Sequence, residues 1–245
     1  MSQSDDVAKS TLQIERDLAQ FAIHDLKGAV HAIQGFLSVL RSGQAGPLTE
    51  TQHDFLASAF ITARRIERLV GDLQVFEFGE RADTLVRAKC DLKSIVQLCV
   101  RELEPTSFGL GVQVVVDAEA RDDWSLIADA VRLEQIIFNL IENAIRYADV
   151  NTTVRVRLRQ SATRMLLVVE NDSSAADSID LKKLSAPLQR GATATILGRR
   201  GLGIGLSVVT TLVTAHGGTT CMRVRGSTVS IAASLPRRTP LDGRH

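Results

Sequence analysis

The chain is poor in the features that would place it outside ordinary soluble proteins. Its 245 residues include three cysteines, Cys90, Cys99 and Cys221. Their number is odd and their spacing fits no metal site, so neither a disulfide framework nor a cysteine-based zinc centre is expected. Reduced, packed thiols are expected instead. Every apolar run falls short of the roughly 18 residues that a membrane span needs, so no membrane insertion is expected. Met1 to Asp6 has neither a basic n-region nor an apolar h-region, which excludes a signal peptide and gives a cytoplasmic location as the expectation. Charge of one sign is lacking too. Lys and Arg number 29 against 28 Asp and Glu, for a formal charge of +1, so nothing global points to nucleic acid or a charged membrane. Internal repeats and low-complexity tracts are absent as well.

What is present reads as ordinary globular sequence, 44% hydrophobic and 23% charged, long enough for one large domain or two small ones. From about Ser10 to Arg41, apolar residues recur at Leu18, Ala22, Leu26, Ala29, Ile33, Leu37 and Leu40. Steps of four and three make one stripe along a helix. The Gly and Pro of residues 42–47 end it. A second helix starts near Thr49, with Gln52 three residues on to complete a capping box. Its stripe is Phe55, Ala59, Thr62, Ile66, Leu69, Leu73 and Phe76. One hairpin of this size buries too little to stand alone, so two copies closing a four-helix bundle are expected. The stripe could otherwise cover the rest of the chain.

After residues 79–89 the texture changes. Asp91 to Glu104 reads as a helix and Gly111 to Asp117 as a strand. Asp129 to Ala148 is a strongly amphipathic helix, with Leu133, Ile136, Ile137, Leu140, Ile141 and Ile145 apolar. Thr152 to Arg159 and Arg164 to Glu170 read as strands, and Asp172 to about Arg200 as a long loop, a length that is usually functional or mobile. Gly205 to His216 is a helix; Thr219 to Val224 and Ser227 to Leu235 form a closing hairpin. Helices mixed with antiparallel strands imply an α+β sandwich. The tail from Pro236 is expected to fray.

Four constellations carry chemistry. His24 lies two residues from both Ala22 and Leu26, about 200° around the helix, so it faces away from the stripe. An exposed imidazole beside Asp25 can act as a nucleophile, the carboxylate taking its proton, though an exposed His is more often merely solvated. Asn139 and Asn143 share one helix face, where poor helix formers cost stability. Their amide oxygens suit Mg²⁺ and the phosphates it brings, or else bond to nearby backbone. Gly201, Gly203 and Gly205 open a helix just after Arg199 and Arg200. They can let backbone N–H groups approach phosphate, or simply form a flexible turn. No strand leads into them and no Gly-Lys-Ser/Thr follows, so they are neither a dinucleotide fingerprint nor a P-loop. Asp172, at a strand end, can accept from an adenine amino group or serve as a turn residue.

The ordered set resembles the histidine kinases of two-component pathways. His24-Asp-Leu-Lys is similar to their H-box, Arg132 to Tyr147 to their N-box and Gly201 to Leu206 to their G2 box. The resemblance runs from about Leu18 to Leu235. It implies a dimerisation and phosphoacceptor domain over residues 1–85, followed by a catalytic ATP-binding domain of GHKL (Bergerat) type over 86–245. It implies a soluble, homodimeric kinase that phosphorylates His24 from ATP and passes the group to an aspartate on a response regulator receiver domain. Asp25 would act as base or orienter. Asn143 would contact Mg²⁺ with support from Asn139, Arg146 would reach phosphates and Tyr147 would pack by the nucleotide. Asp172 would meet adenine, and Gly201, Gly203 and Gly205 would let a lid close. No sensor domain fits before Leu18, so input is expected from the bundle or from a separate sensor protein.

Two departures stand out. Where the family has Asp-x-Gly-x-Gly, Asp172 is followed by Ser174 and Ala176, which would be strained if the backbone there needs positive φ. Four residues after His24, where many members carry Thr or Asn for phosphatase activity, stands Gly28, and Ala29 replaces a usual Pro. The first departure motivates an alternative, a histidine phosphotransferase with a degenerate ATP-binding domain. A non-enzymatic dimeric scaffold is a third reading, against which the retained His24, Asn143 and glycines count.

Overall fold

A computed structural model describes residues 2–118, 123–176 and 204–238, with side chains from residue 14 onward except 15 and 16. The chain divides into two compact units, Met1–Phe78 and Gly79–His245.

The first unit is a helical hairpin, α1 (Ser2–Arg41) and α2 (Glu50–Phe78). α1 begins about eight residues before the expected start. The turn closes through Gly43 and Gly46, both at positive φ. The capping box forms: Thr49 N–H donates to Gln52 Oε1 at 2.8 Å, and Gln52 N–H donates to Thr49 Oγ1 at 3.3 Å. The seam within the hairpin uses residues other than that stripe. Ile23 and Val30 of α1 and Leu56, Ala63, Val70 and Val75 of α2 are buried. Polar bonds cross the same seam, Lys27 to Gln74 and Gln34 to Glu67. The expected residues Leu18, Leu26, Ile33 and Leu40, with Phe55, Ile66 and Leu69, lie exposed on the next face round. Each helix carries two adjacent stripes of helical period, and the hairpin consumes only one.

The second unit has a five-stranded sheet in the order β2-β4-β5-β7-β6. Its strands are β2 (Gln113–Ala118), β4 (Thr153–Gln160), β5 (Arg164–Asp172), β6 (Thr219–Arg225) and β7 (Thr228–Pro236). All neighbours are antiparallel except β2 and β4, which run parallel. That pair departs from the expected antiparallel pattern, because a helix crosses over between them. Helices α3 (Leu92–Gly109), α4 (Ala130–Tyr147) and α5 (Gly205–Ala215) cover the sheet. A second sheet of two short strands, β1 (Ala88–Asp91) and β3 (Ser125–Ala128), was not expected; at four residues each, they are too short to show a period.

Local chemistry explains the helix starts. Asp91 caps α3 by accepting from Ser94 N–H at 2.7 Å. Asp129 caps α4 by accepting from Val131 and Arg132 N–H. α4 is the centre of the core: Leu133, Ile136, Ile137, Leu140 and Ile141 are all fully buried. β4 alternates cleanly, Val154, Val156 and Leu158 inward and Arg155, Arg157 and Arg159 outward. Outside, Arg157 meets Glu170 at 2.8 Å and Arg159 meets Asp117 at 2.7 Å.

Behind the N-terminus of α4, His216 is 2% exposed. Its Nδ1–H donates to Leu212 O at 2.8 Å, and its Nε2 accepts from Asp129 N–H at 3.2 Å. This is a neutral ring, and burial pushes its pKa down from 6.5. All three cysteines are free. Cys99 is packed as expected, but Cys90 is half-buried and Cys221 is exposed on β6, a strand at the sheet edge. Among the described residues no helix is long and apolar enough to cross a membrane.

Candidate functional site

Two groups of residues concern chemistry, one on each unit. On α1 the His24 side chain is 86% exposed, while its neighbour Ile23 is buried. His24 Nδ1 stands 3.7 Å from Asp25 Oδ1, beyond hydrogen-bond range. An Nδ1–H turned toward the carboxylate leaves the Nε2 lone pair facing solvent, the state a nucleophile requires.

On the second unit, Asn139, Asn143 and Arg146 follow each other by four and three residues along α4, and Tyr147 adjoins them. Asn139 is buried; Asn143, Arg146 and Tyr147 are half-buried. Gly205, the first residue of α5, sits directly against the two amides. A Cβ on it would lie 3.5 Å from Asn139 Oδ1 and 3.5 Å from Asn143 Nδ2. Arg146 is engaged by Glu142 at 2.9 Å, one turn back on α4. Gly201 and Gly203 lie outside the described residues, as does most of the expected long loop.

Asp172 is not brought to this group. Its Oδ1 accepts from Thr228 Oγ1 at 2.7 Å, and Arg155 lies 3.8 Å from its Oδ2, both on the outer side of the sheet. The side chain of β5 that points inward at this end is Asn171, which is 5% exposed. Its Nδ2 has no hydrogen-bond partner among the described residues. Side chains alternate along a strand, so a one-residue shift of the motif moves its first member to the opposite face.

The segment after β5 is unstrained. None of residues 173–176 has positive φ; Asn151 is the non-glycine residue that does among those described. The strain expected at Ser174 and Ala176 is therefore not present. Ser174 is instead tied down, its N–H and Oγ reaching the two carboxylate oxygens of Asp149 at 2.7 and 3.0 Å. Asp149 N–H in turn donates to Asp172 O at 2.9 Å. Asp149 thus stitches the end of β5 to the end of α4. Neither Asn171 nor Asp149 was singled out from sequence. The register that pairs Arg155 with Glu170 shows Asn171 facing inward, but that register is a property of the fold and not of the sequence, and nothing in the sequence marks Asp149.

These groups fit a magnesium–nucleotide. The paired amides on α4 supply oxygen ligands of the kind Mg²⁺ takes, Gly205 leaves their flank open, and the orphaned amide of Asn171 calls for a polar partner. Among the described residues no cluster of three His, Cys, Asp or Glu side chains suits a metal held by protein alone.

Comparison with known proteins agrees with this geometry. A family model described as the His Kinase A (phospho-acceptor) domain matches residues 14–81. One described as histidine kinase-, DNA gyrase B- and HSP90-like ATPase matches residues 128–239. The histidine protein kinase DivJ of Caulobacter vibrioides is 28% identical over 215 residues, covering 85% of this chain and 35% of DivJ. The chain spans from 18% to 54% of the length of the curated relatives compared with it. Among solved structures, full-length ShkA in complex with AMPPNP has a TM-score of 0.60 at 20% identity, over 93% of this chain and 49% of that one. Histidine kinase ThkA in complex with the response regulator TrrA has a TM-score of 0.54 at 18% identity, over 96% of this chain and 65% of ThkA. At those identities the structural likeness speaks for the fold.

Proposed function

This chain belongs to the two-component histidine kinase family, and we propose that it phosphorylates His24 from ATP and passes the phosphoryl group to an aspartate of a response regulator receiver domain. The observation that carries the reading is the presentation of His24: a solvent-facing imidazole beside the buried Ile23, with the Asp25 carboxylate 3.7 Å from its Nδ1. In the first step a bond forms between His24 Nε2 and the γ-phosphorus. The bond from that phosphorus to its bridging oxygen breaks, and ADP leaves with the electron pair. The ring proton on Nδ1 is held or taken by Asp25. In the second step the phosphorus passes to a carboxylate oxygen of the regulator, and the imidazole is regenerated.

Residues 86–245 would hold the nucleotide. Asn143 would bind Mg²⁺ with Asn139 behind it, Arg146 would meet phosphate, and Tyr147 would lie against the nucleotide. Gly201, Gly203 and Gly205 would admit phosphate at the start of α5. When bound, Mg²⁺ neutralises charge on the phosphates; positioning and charge neutralisation are most of what phosphoryl transfer asks of a protein. Residues 1–85 would pair with a second copy through the exposed stripe of the hairpin and present His24. A cytoplasmic location and a separate sensor protein complete the reading.

The altered segment after β5 motivates a second reading, a phosphotransferase in which His24 receives phosphate from another protein, although that segment carries no backbone strain. One experiment separates the two: incubating the chain with radiolabelled ATP. The expected result is acid-labile, alkali-stable labelling, lost in His24→Ala and at least tenfold weaker in Asn143→Ala. Labelling that persists in His24→Ala moves the acceptor elsewhere. Labelling absent from ATP but restored by a phosphorylated donor protein favours the phosphotransferase.

A further inference from the structure

Asn171 is a buried polar residue at the end of β5. It shares the inward face of β5 with Met165, Leu167 and Val169, the face covered by α4, and its Nδ2 has no partner among the described residues. A buried amide donor left unpaired costs free energy, and such atoms are rare in folded proteins unless a ligand or water completes them. The location suits a ligand. Through Asp149 the strand end is stitched to the end of α4, where Asn143, Arg146 and Tyr147 lie. Asp172, one residue on, is committed to Thr228 and Arg155 on the outer side of the sheet.

The chemistry of a carboxamide differs from that of a carboxylate here. A carboxylate offers acceptors only. It can take a hydrogen from the amino group of adenine, but it repels the O6 of a 6-oxopurine. A carboxamide offers one acceptor and one donor side by side. It matches the amino group and N1 of adenine, and after a half-turn about χ2 it matches O6 and N1–H of guanine equally well. Resting on the reading of this unit as a nucleotide site, in which the inward residue at the end of β5 meets the base edge, we propose that the Asn171 carboxamide admits guanine as well as adenine nucleotides.

The test is calorimetric titration of the full chain with Mg-ADP and Mg-GDP, repeated on Asn171→Asp, Asn171→Leu and Asp172→Asn. The wild-type dissociation constants are expected to lie within about tenfold of each other. Asn171→Asp is expected to shift their ratio toward ADP by tenfold or more, chiefly by weakening GDP. Asn171→Leu, close in size but without donor or acceptor, is expected to weaken both about tenfold, and it carries the test should the aspartate variant fail to fold. Asp172→Asn is expected to leave the ratio unchanged. A wild-type preference for ADP of a hundredfold or more overturns the assignment, as does a ratio that moves with Asp172 and not with Asn171. In either case the nucleotide reading stands. A folded chain that binds neither nucleotide at millimolar concentration removes both together.

Discussion

The neutral ring of His216 is a bond between two helix ends. It receives a hydrogen bond from the residue that caps α4 and returns one to the last turn of α5. Protonation would put a hydrogen on Nε2 against the N–H of Asp129 and a charge into the core beside the Arg87 guanidinium, whose side chain bonds to Ala215 O. Asp129 and Glu80 oppose this by favouring the charged ring, but burial outweighs them and the pKa falls below 6.5. The unfolded chain therefore binds more protons than the folded one below that pH, and stability must fall as pH drops through 6.5 toward the folded value. Within this window one such group lowers stability by at most about 1.4 kcal/mol per pH unit. Denaturant midpoints are expected to decline between pH 7.5 and 5.5 in the wild type. They should decline less in His216→Gln, whose amide oxygen can still accept from Asp129. Equal declines would place the titration elsewhere.

The two helices of the hairpin each carry apolar residues on more faces than one partner can cover. Phe36 is 71% and Phe55 is 72% exposed, and Leu18, Leu26 and Ile33 are exposed at helical spacing along α1. Exposed apolar surface of this kind marks an interaction site. If a second copy covers it, Ile33→Glu removes about 1.5–3 kcal/mol of burial twice, once per chain. The dimer is then expected to weaken by about a hundredfold or more, read by sedimentation velocity. A variant that stays dimeric at the same concentration would move the interface to another face. The hairpin also shows what the sequence made legible. Periodicity and capping residues revealed that both helices exist and where α2 begins. They could not rank two neighbouring stripes of the same period, because the choice depends on which surface the other helix meets. β5 failed for the same reason at the scale of one residue. Met165 through Val169 are all apolar, so no alternation shows which face is inward, and the polar pair Asn171-Asp172 could be read in either phase. The parallel β2–β4 pair was equally hidden, since strand partners are set by a crossover and not by either strand's composition.

At the scale of the whole molecule the question is which way phosphate flows. A histidine kinase that also removes phosphate from its regulator needs a side chain that can hold a water in line with the aspartyl-phosphate. Gly28, one turn after His24, has none. It sits mid-helix, where glycine costs about 1 kcal/mol relative to alanine, so local stability does not explain its presence. Space does not explain it either, because a Cβ there would meet nothing within 4 Å. Gly28→Ala is accordingly expected to stiffen α1 without changing phosphatase activity. Gly28→Asn, which brings an amide to that turn, is expected to speed dephosphorylation of the regulator by tenfold or more while leaving labelling of His24 from ATP within about twofold. The measurement is the decay of purified phosphorylated regulator in the presence of wild-type and variant chains with ADP. Rapid decay with the wild type would show that the glycine turn does not limit the reaction. A slow wild type that Gly28→Asn leaves slow would place the missing element elsewhere on the hairpin.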